Sequence, residues 1–103
     1  MITAIVQFEI GEGIGMEGLN KVFRDSVPRY QAVPGLLRKY YLISENGKSA
    51  GGVYLWKSRE AADALYNAEW KQMIREKYGS EPEISFFESP VIVENQYGET
   101  HIE

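Results

Sequence analysis

Apolar and polar positions alternate most clearly at the start of the chain. Ile2, Ala4, Val6 and Phe8 face one way and Thr3, Ile5, Gln7 and Glu9 the other, which is the period of a β-strand. Ile5 interrupts the polar set, so the second face of this strand is expected to be covered as well. Glycines at positions 11, 13 and 15 end the run. Their spacing departs from the G-x-G-x-x-G turn that opens a dinucleotide-binding helix, and the segment reads as a strand-to-helix loop. From Met16 to Ala32 the apolar positions Leu19, Val22, Phe23, Val27 and Tyr30 recur every three or four residues, the stripe of an amphipathic helix. Pro28 lies inside that stripe. Because it has no amide hydrogen and its ring clashes with the preceding turn, it is expected to kink the helix or end its regular part near Val27.

Pro34-Gly35 closes the helical segment, and Leu36 to Glu45 follows as a strand rich in Leu, Tyr and Ile. Asn46-Gly47 is the pair best suited to a two-residue type I′ hairpin turn, and a third strand runs from Lys48 to Lys57. Such a turn sets Ile43 opposite Ala50, Tyr41 opposite Gly52, Lys39 opposite Tyr54 and Leu37 opposite Trp56. Ser58 is placed to cap a second helix, with Ala61, Ala64, Leu65, Ala68, Met73 and Ile74 as its stripe and a change of phase near Trp70. Gly79 and Pro82 stop that helix near Tyr78. Glu83 to Val93 forms the last strand, in which Pro90 demands a bulge or an open edge. Asn95 to Glu103 is polar and expected to be a tail. The order β-α-β-β-α-β defines a ferredoxin-like α+β domain over residues 1–95, with a four-stranded antiparallel sheet, and a C-terminal tail over 96–103.

The hairpin register has a consequence for packing. Lys39, Tyr41, Tyr54 and Trp56 share one face of the sheet with Gly52, and Leu36, Tyr40, Leu42, Val53 and Leu55 share the other with Arg38. The aliphatic face is expected to lie under the helices. The aromatic face would then be left for a second copy of the chain, since large bare apolar patches mark interfaces or ligand sites. Two such sheets would enclose a cavity lined by Tyr, Trp and one Lys. Burial of Tyr and Trp is rewarding in itself and needs no catalysis. A lysine amid rings needs a partner, a ligand or a path to water for its ammonium.

Composition narrows the function classes. With 44% hydrophobic and 25% charged residues the chain is an ordinary globular one rather than a disordered one. A net charge of −4 and the lack of any basic run argue against a nucleic-acid partner. There is no cysteine, which removes disulfides, thiolate catalysis and Cys-based metal sites. No stretch reaches the length of a membrane span, and Met1 to Ile10 lacks the basic start of a signal peptide. The expectation is a cytoplasmic protein with no membrane partner. His101 is the only histidine and falls in the polar tail, and no carboxylates stand at metal-ligand or paired acid/base spacing. Glu88, in the last strand, is the carboxylate placed to reach the cavity or to form a salt bridge at its rim.

Three segments carry a resemblance: Pro34-Gly35-Leu36, Ala50-Gly51-Gly52-Val53-Tyr54-Leu55-Trp56, and Pro90 to Asn95. On these the chain resembles the YdhR-like monooxygenase family, within the dimeric α+β barrel superfamily that also holds antibiotic-biosynthesis monooxygenases. The resemblance implies a homodimer of ferredoxin-like protomers whose sheets face each other. It also implies oxygenation of a small aromatic or polycyclic substrate with no metal, flavin or haem cofactor. For such chemistry the protein must hold an electron-rich substrate anion in a dry pocket. Lys39, Tyr41 and Tyr54 are the candidate catalytic residues, with Trp56, Phe86, Phe87 and Glu88 as the substrate-binding walls. A haem-degrading relative would be expected to carry a ligating histidine in the body of the domain, and none is present. Because one fold hosts many reactions, a non-catalytic small-molecule binder or regulatory dimer using the same face is the alternative, and a pure assembly surface the third reading.

Overall fold

The computed structural model describes the whole chain, Met1–Glu103. Strands β1 (Ile2–Glu9), β2 (Leu36–Ile43), β3 (Ser49–Trp56) and β4 (Glu83–Glu88) form one antiparallel sheet in the order β2-β3-β1-β4. Helices α1 (Gly15–Gln31), α2 (Arg59–Leu65) and α3 (Ala68–Tyr78) cover one face of it. This is the ferredoxin-like α+β arrangement that the periodicity implies. The hairpin register agrees at Ile43/Ala50, Tyr41/Gly52 and Lys39/Tyr54, but a bulge between Leu36 and Arg38 sets Leu36, not Leu37, opposite Trp56. The turn itself differs from a type I′ turn. Only Gly47 has positive φ, 73°, and Ser44 closes the loop by pairing with Ser49. The Asn46 side chain accepts hydrogen bonds from the Ser44 hydroxyl and the Lys48 amide, so an Asx contact replaces the second positive φ.

Pro28 does not end α1, which continues through it to Gln31. The carbonyl that loses a donor belongs to Arg24, one turn back on the exposed side, where water can satisfy it, while buried Phe23 and Tyr30 hold the helix on either side. The second helical segment is interrupted at Tyr66-Asn67. Asn67 caps α3 by accepting from the Trp70 amide at 2.9 Å, just as Ser58 caps α2. Gly79 ends α3 in the left-handed conformation, φ 88°.

The chain leaves the sheet at Ser89-Pro90. The last strand of the sheet thus stops at Glu88 rather than Val93, and the end of the expected strand, β5 (Val91–Glu94), pairs with β6 (Glu99–Ile102) from the segment expected to be a tail. An ion pair from Arg38 to Glu94, at 2.6 Å, ties this hairpin to the face of the sheet away from the helices.

The two sheet faces are used in the opposite sense from the one expected. Tyr54 (3% exposed) and Trp56 (0%) lie under the chain's own helices, while Tyr40 (54%) and Phe87 (53%) project from the open face. The reason is the composition of the helix stripes. Ala62, Tyr66, Trp70, Ile74 and Tyr78 are buried at strict four-residue spacing, whereas Ala64 and Ala68 of the expected stripe are exposed. Eight of the fourteen core residues are aromatic, so helices and sheet meet ring against ring. Small residues on the sheet, Ala4, Ala50 and Gly52, make the room.

Candidate functional site

Between α1, α3 and the β2–β3 side of the sheet lies a cleft rimmed by Arg29 and Lys77 and walled by Phe23, Tyr30, Tyr41, Tyr54 and Tyr78. Lys39 enters it from β2. Its Nζ sits 3.3 Å from the Tyr30 ring centroid, 3.9 Å from Tyr41 and 4.7 Å from Tyr54. Gly52 makes this possible: a Cβ there would stand 3.0 Å from a Tyr54 ring carbon and 3.2 Å from Lys39 Cε. Gly52→Ala is therefore expected to lower stability by about 1–3 kcal/mol through overpacking, read by urea unfolding. A wild-type midpoint in that variant would mean that the stem and ring have space to spare.

No carboxylate lines the cleft. Burial first, and then the charges of Arg29 and Lys77, push the Lys39 pKa down to about 6, so at neutral pH the group is mainly a free amine. Lys77 is lowered too, mainly by burial and by Arg29. The phenols move the other way: burial raises Tyr41, Tyr54 and Tyr78, the last to about 12, so they stay protonated as donors. The Ser26 hydroxyl donates to the Phe23 carbonyl at 2.8 Å, which leaves its oxygen to accept from the Tyr41 hydroxyl at 2.7 Å. Tyr30 accepts from Trp70 Nε1 at 3.0 Å and keeps its own proton available.

The space inside is about 20 Å³, enough for one water or a diatomic molecule. Through Tyr30, Lys39 and Tyr41 it adjoins an outer depression of about 340 Å³ between the end of α1 and β2, bounded also by Val27, Leu36 and Leu37. That volume is at the lower end of those that take small organic ligands.

The residues singled out from the sequence divide into two sets. Lys39, Tyr41 and Tyr54 are brought together in the cleft. Trp56 is not part of it; its indole donates to Tyr66 at 3.1 Å deep in the core. Phe86 packs against the core and under the Arg59 guanidinium, 3.6 Å from its ring, Phe87 projects from the open face, and Glu88 lies near Lys57 and Arg59 at the far end of the sheet. His101, on β6, is exposed and 3.6 Å from Glu99. The sequence reading missed Tyr30, Arg29, Lys77 and Tyr78. The four-residue recurrence of Trp70, Ile74 and Tyr78 was the available sign for the last, since it turns an aromatic stripe toward the sheet.

The fold and cleft define a ferredoxin-like α+β protein with an aromatic, lysine-bearing cavity between sheet and helices. Residues 5–88 match the family described as "Putative mono-oxygenase ydhR", and the chain belongs to that family. No curated protein matches it. Among solved structures, a protein of unknown function from Nitrosomonas europaea, NE2512, is 16% identical with a TM-score of 0.70, over 85% of this chain and 87% of that one. A monooxygenase from the gene ActVA-Orf6 of Streptomyces coelicolor, in complex with nanaomycin D, is 22% identical with a TM-score of 0.65, over 85% and 86%. SnoaB, a cofactor-independent oxygenase from Streptomyces nogalater, is 18% identical with a TM-score of 0.62, over 85% and 91%. At these identities the likeness establishes a shared fold. No helix is long and apolar enough to cross a membrane.

Proposed function

We propose that the protein is a cofactor-independent monooxygenase of hydroxylated aromatic or polycyclic compounds, working in the cleft of each protomer. The carrying observation is Lys39, a mainly neutral amine held among three phenol rings at the junction of the inner space and the outer depression. The named activities of SnoaB and the ActVA-Orf6 product, which share the fold, support the same reading.

In this reading the arene occupies the outer depression and Lys39 removes a proton from its phenol or enol, giving an ammonium paired with a substrate anion. The pair supplies the charge partner that the empty cleft lacks, and Tyr30, which lines both spaces and keeps its proton, donates toward the anionic oxygen, with Tyr41 and Tyr54 as the aromatic walls around the amine. The electron-rich anion reduces O₂, forming a carbon–oxygen bond at the activated ring carbon, and the Lys39 ammonium returns its proton to the resulting peroxide, giving a hydroperoxide and the free amine. Loss of water from that carbon leaves a ketone or quinone: one oxygen atom enters the substrate and the other leaves as water, with the two hydrogens of an oxidised CH₂ going into that water. O₂ uptake with anthrone-like substrates tests this, with one equivalent consumed per quinone formed. Binding of the same compounds without O₂ uptake would leave the non-catalytic binder standing in its place.

The assembly we propose is a homodimer through the open sheet face, not through the aromatic face. Tyr40 and Phe87 are exposed there, and the β5–β6 hairpin exposes Val91, Val93, Tyr97 and Ile102. A two-stranded hairpin so little buried is marginal by itself, and a second copy supplies the missing cover. Sedimentation is expected to give twice the 11.7 kDa chain mass, and Phe87→Asp to shift it toward one. A wild-type protomer that stays single at micromolar concentration rules this assembly out.

A further inference from the structure

The outer depression of about 340 Å³ is walled by Val27, Leu36, Leu37 and the rings of Tyr30 and Tyr41, and Lys39 is its only lysine. Both of those rings touch the Lys39 amine, whose Nζ lies 3.3 and 3.9 Å from their centroids. No carboxylate lines either space. The groups that face the amine are Arg29 and Tyr30 from α1, Tyr41 and Tyr54 from the sheet, and Lys77 and Tyr78 from α3. The amine thus opens onto an apolar space large enough for one or two fused rings, with nothing there to pair its charge.

We propose that this depression is a carbonyl-binding site: it takes an aromatic aldehyde or ketone of one or two rings and holds it as an imine on the Lys39 amine. The site shares its free amine with the oxygenase reading but needs no O₂ and no hydroxyl on the ligand. A lysine becomes a nucleophile when its amine is desolvated in an apolar pocket or set beside other cations, and Lys39 meets both conditions. Burial first, and then Arg29 and Lys77, leave it mainly unprotonated at neutral pH.

The Nζ lone pair attacks the carbonyl carbon, the C–N bond forms as the carbonyl π pair moves to oxygen, and one proton passes from nitrogen to that oxygen. The resulting carbinolamine loses its hydroxyl as water together with the second nitrogen proton, and the C=N bond closes. One water is released and nothing is oxidised. The product is neutral, which suits a site that already disfavours an ammonium. Hydrolysis runs through the protonated imine, and Arg29 and Lys77 oppose that protonation as they oppose the ammonium, so the adduct persists. An imine nitrogen is a much weaker base than an amine, so a bound aldehyde also shuts off the proposed oxygenation.

The probe is 2-naphthaldehyde, which has no hydroxyl and so is no substrate for that oxygenation. The full chain is incubated with it at pH 7, treated with borohydride to fix any imine as a stable amine, and mapped by peptide mass. Lys39 is expected to carry about ten-fold more label or better than Lys21, Lys48, Lys57, Lys71 or Lys77, because an ordinary lysine is almost wholly ammonium at that pH. The preference should shrink toward about pH 10, where ordinary lysines also lose their protons, and Lys39→Met should abolish it. Val27→Trp, at a position 38% exposed on the wall of the depression, fills that space and should lower labelling by naphthaldehyde several-fold more than labelling by formaldehyde. Label spread over the exposed lysines, label foremost on Lys77, no label, or an equal loss of both aldehydes in Val27→Trp each overturns the proposal. Oxidation of arenes with no trapped adduct overturns this proposal alone, and selective label on Lys39 with no O₂ uptake from any arene overturns the oxygenase reading alone.

Discussion

Replacing Lys39 by methionine is expected to lower kcat/KM for O₂-coupled oxidation by about 10²–10⁴, the usual contribution of a positioned general base, and at the same time to make the protein more stable. Both effects come from one cause. The amine is poised because its ammonium is desolvated beside Arg29 and Lys77, and that same desolvation is a cost to the fold. With the folded pKa at about 6 and the ordinary value at 10.5, the unfolded chain binds the proton more strongly, so stability rises with pH between about 6 and 10.5. Below about 6 the amine is charged in both states and the full penalty is present. Thermal midpoints of the wild type should therefore climb across that window, those of Lys39→Met should climb less, and the variant should be the more stable of the two at pH 7. Activity of the wild type should fall on the acid side of about pH 6, where the amine becomes charged. A variant with undiminished O₂ uptake removes Lys39 from the mechanism, and one that melts lower at pH 7 contradicts the buried amine.

Trp56→Ala is expected to cost about 3–5 kcal/mol, the largest stability loss predicted for this chain. Trp56 is fully buried, stacks on Tyr54 with ring centroids 6.2 Å apart, and donates its indole hydrogen to the Tyr66 hydroxyl. Trp56→Phe retains much of the ring but leaves that hydroxyl without its donor, at a cost of about 1–3 kcal/mol. Chemical denaturation of both variants separates the ring from the hydrogen bond. The folded fraction of Trp56→Phe should keep the wild-type affinity for arenes, since this side chain does not line the cleft. A selective loss of affinity with unchanged stability would restore Trp56 to the substrate wall.

The contrast between Lys39 and Trp56 shows how far the pattern of residues reaches. Both were placed on one face of a hairpin by counting from Asn46-Gly47, and both do lie on that face. The count held even though the turn has another geometry, because the Ser44–Ser49 pair closes a four-residue loop in the same register. What counting by twos leaves open is which side of the sheet the helices take. Matching aliphatic stripe to aliphatic face misjudged it, since the helix residues that pack inward include Phe23, Tyr30, Tyr66 and Trp70, and their polar atoms are satisfied only once the partner rings are in place. The same shift moved the candidate site from between two protomers to within one.

The sequence by itself determined the four strands and the helical segments of the main sheet, their order and the hairpin register from Lys39 to Ile43, because each follows from local periodicity, a cap or a turn within a few residues of chain; the bulge at Leu36 and the β5–β6 hairpin came only with the structure. The sequence also sufficed to single out one lysine among aromatic side chains. Tertiary structure alone decided what surrounds that lysine: Arg29 and Tyr30 come from ten residues before it and Lys77 from nearly forty after it, and charge and burial act through space regardless of that separation. The state of its proton, and with it the proposed chemistry, is a property of that packing.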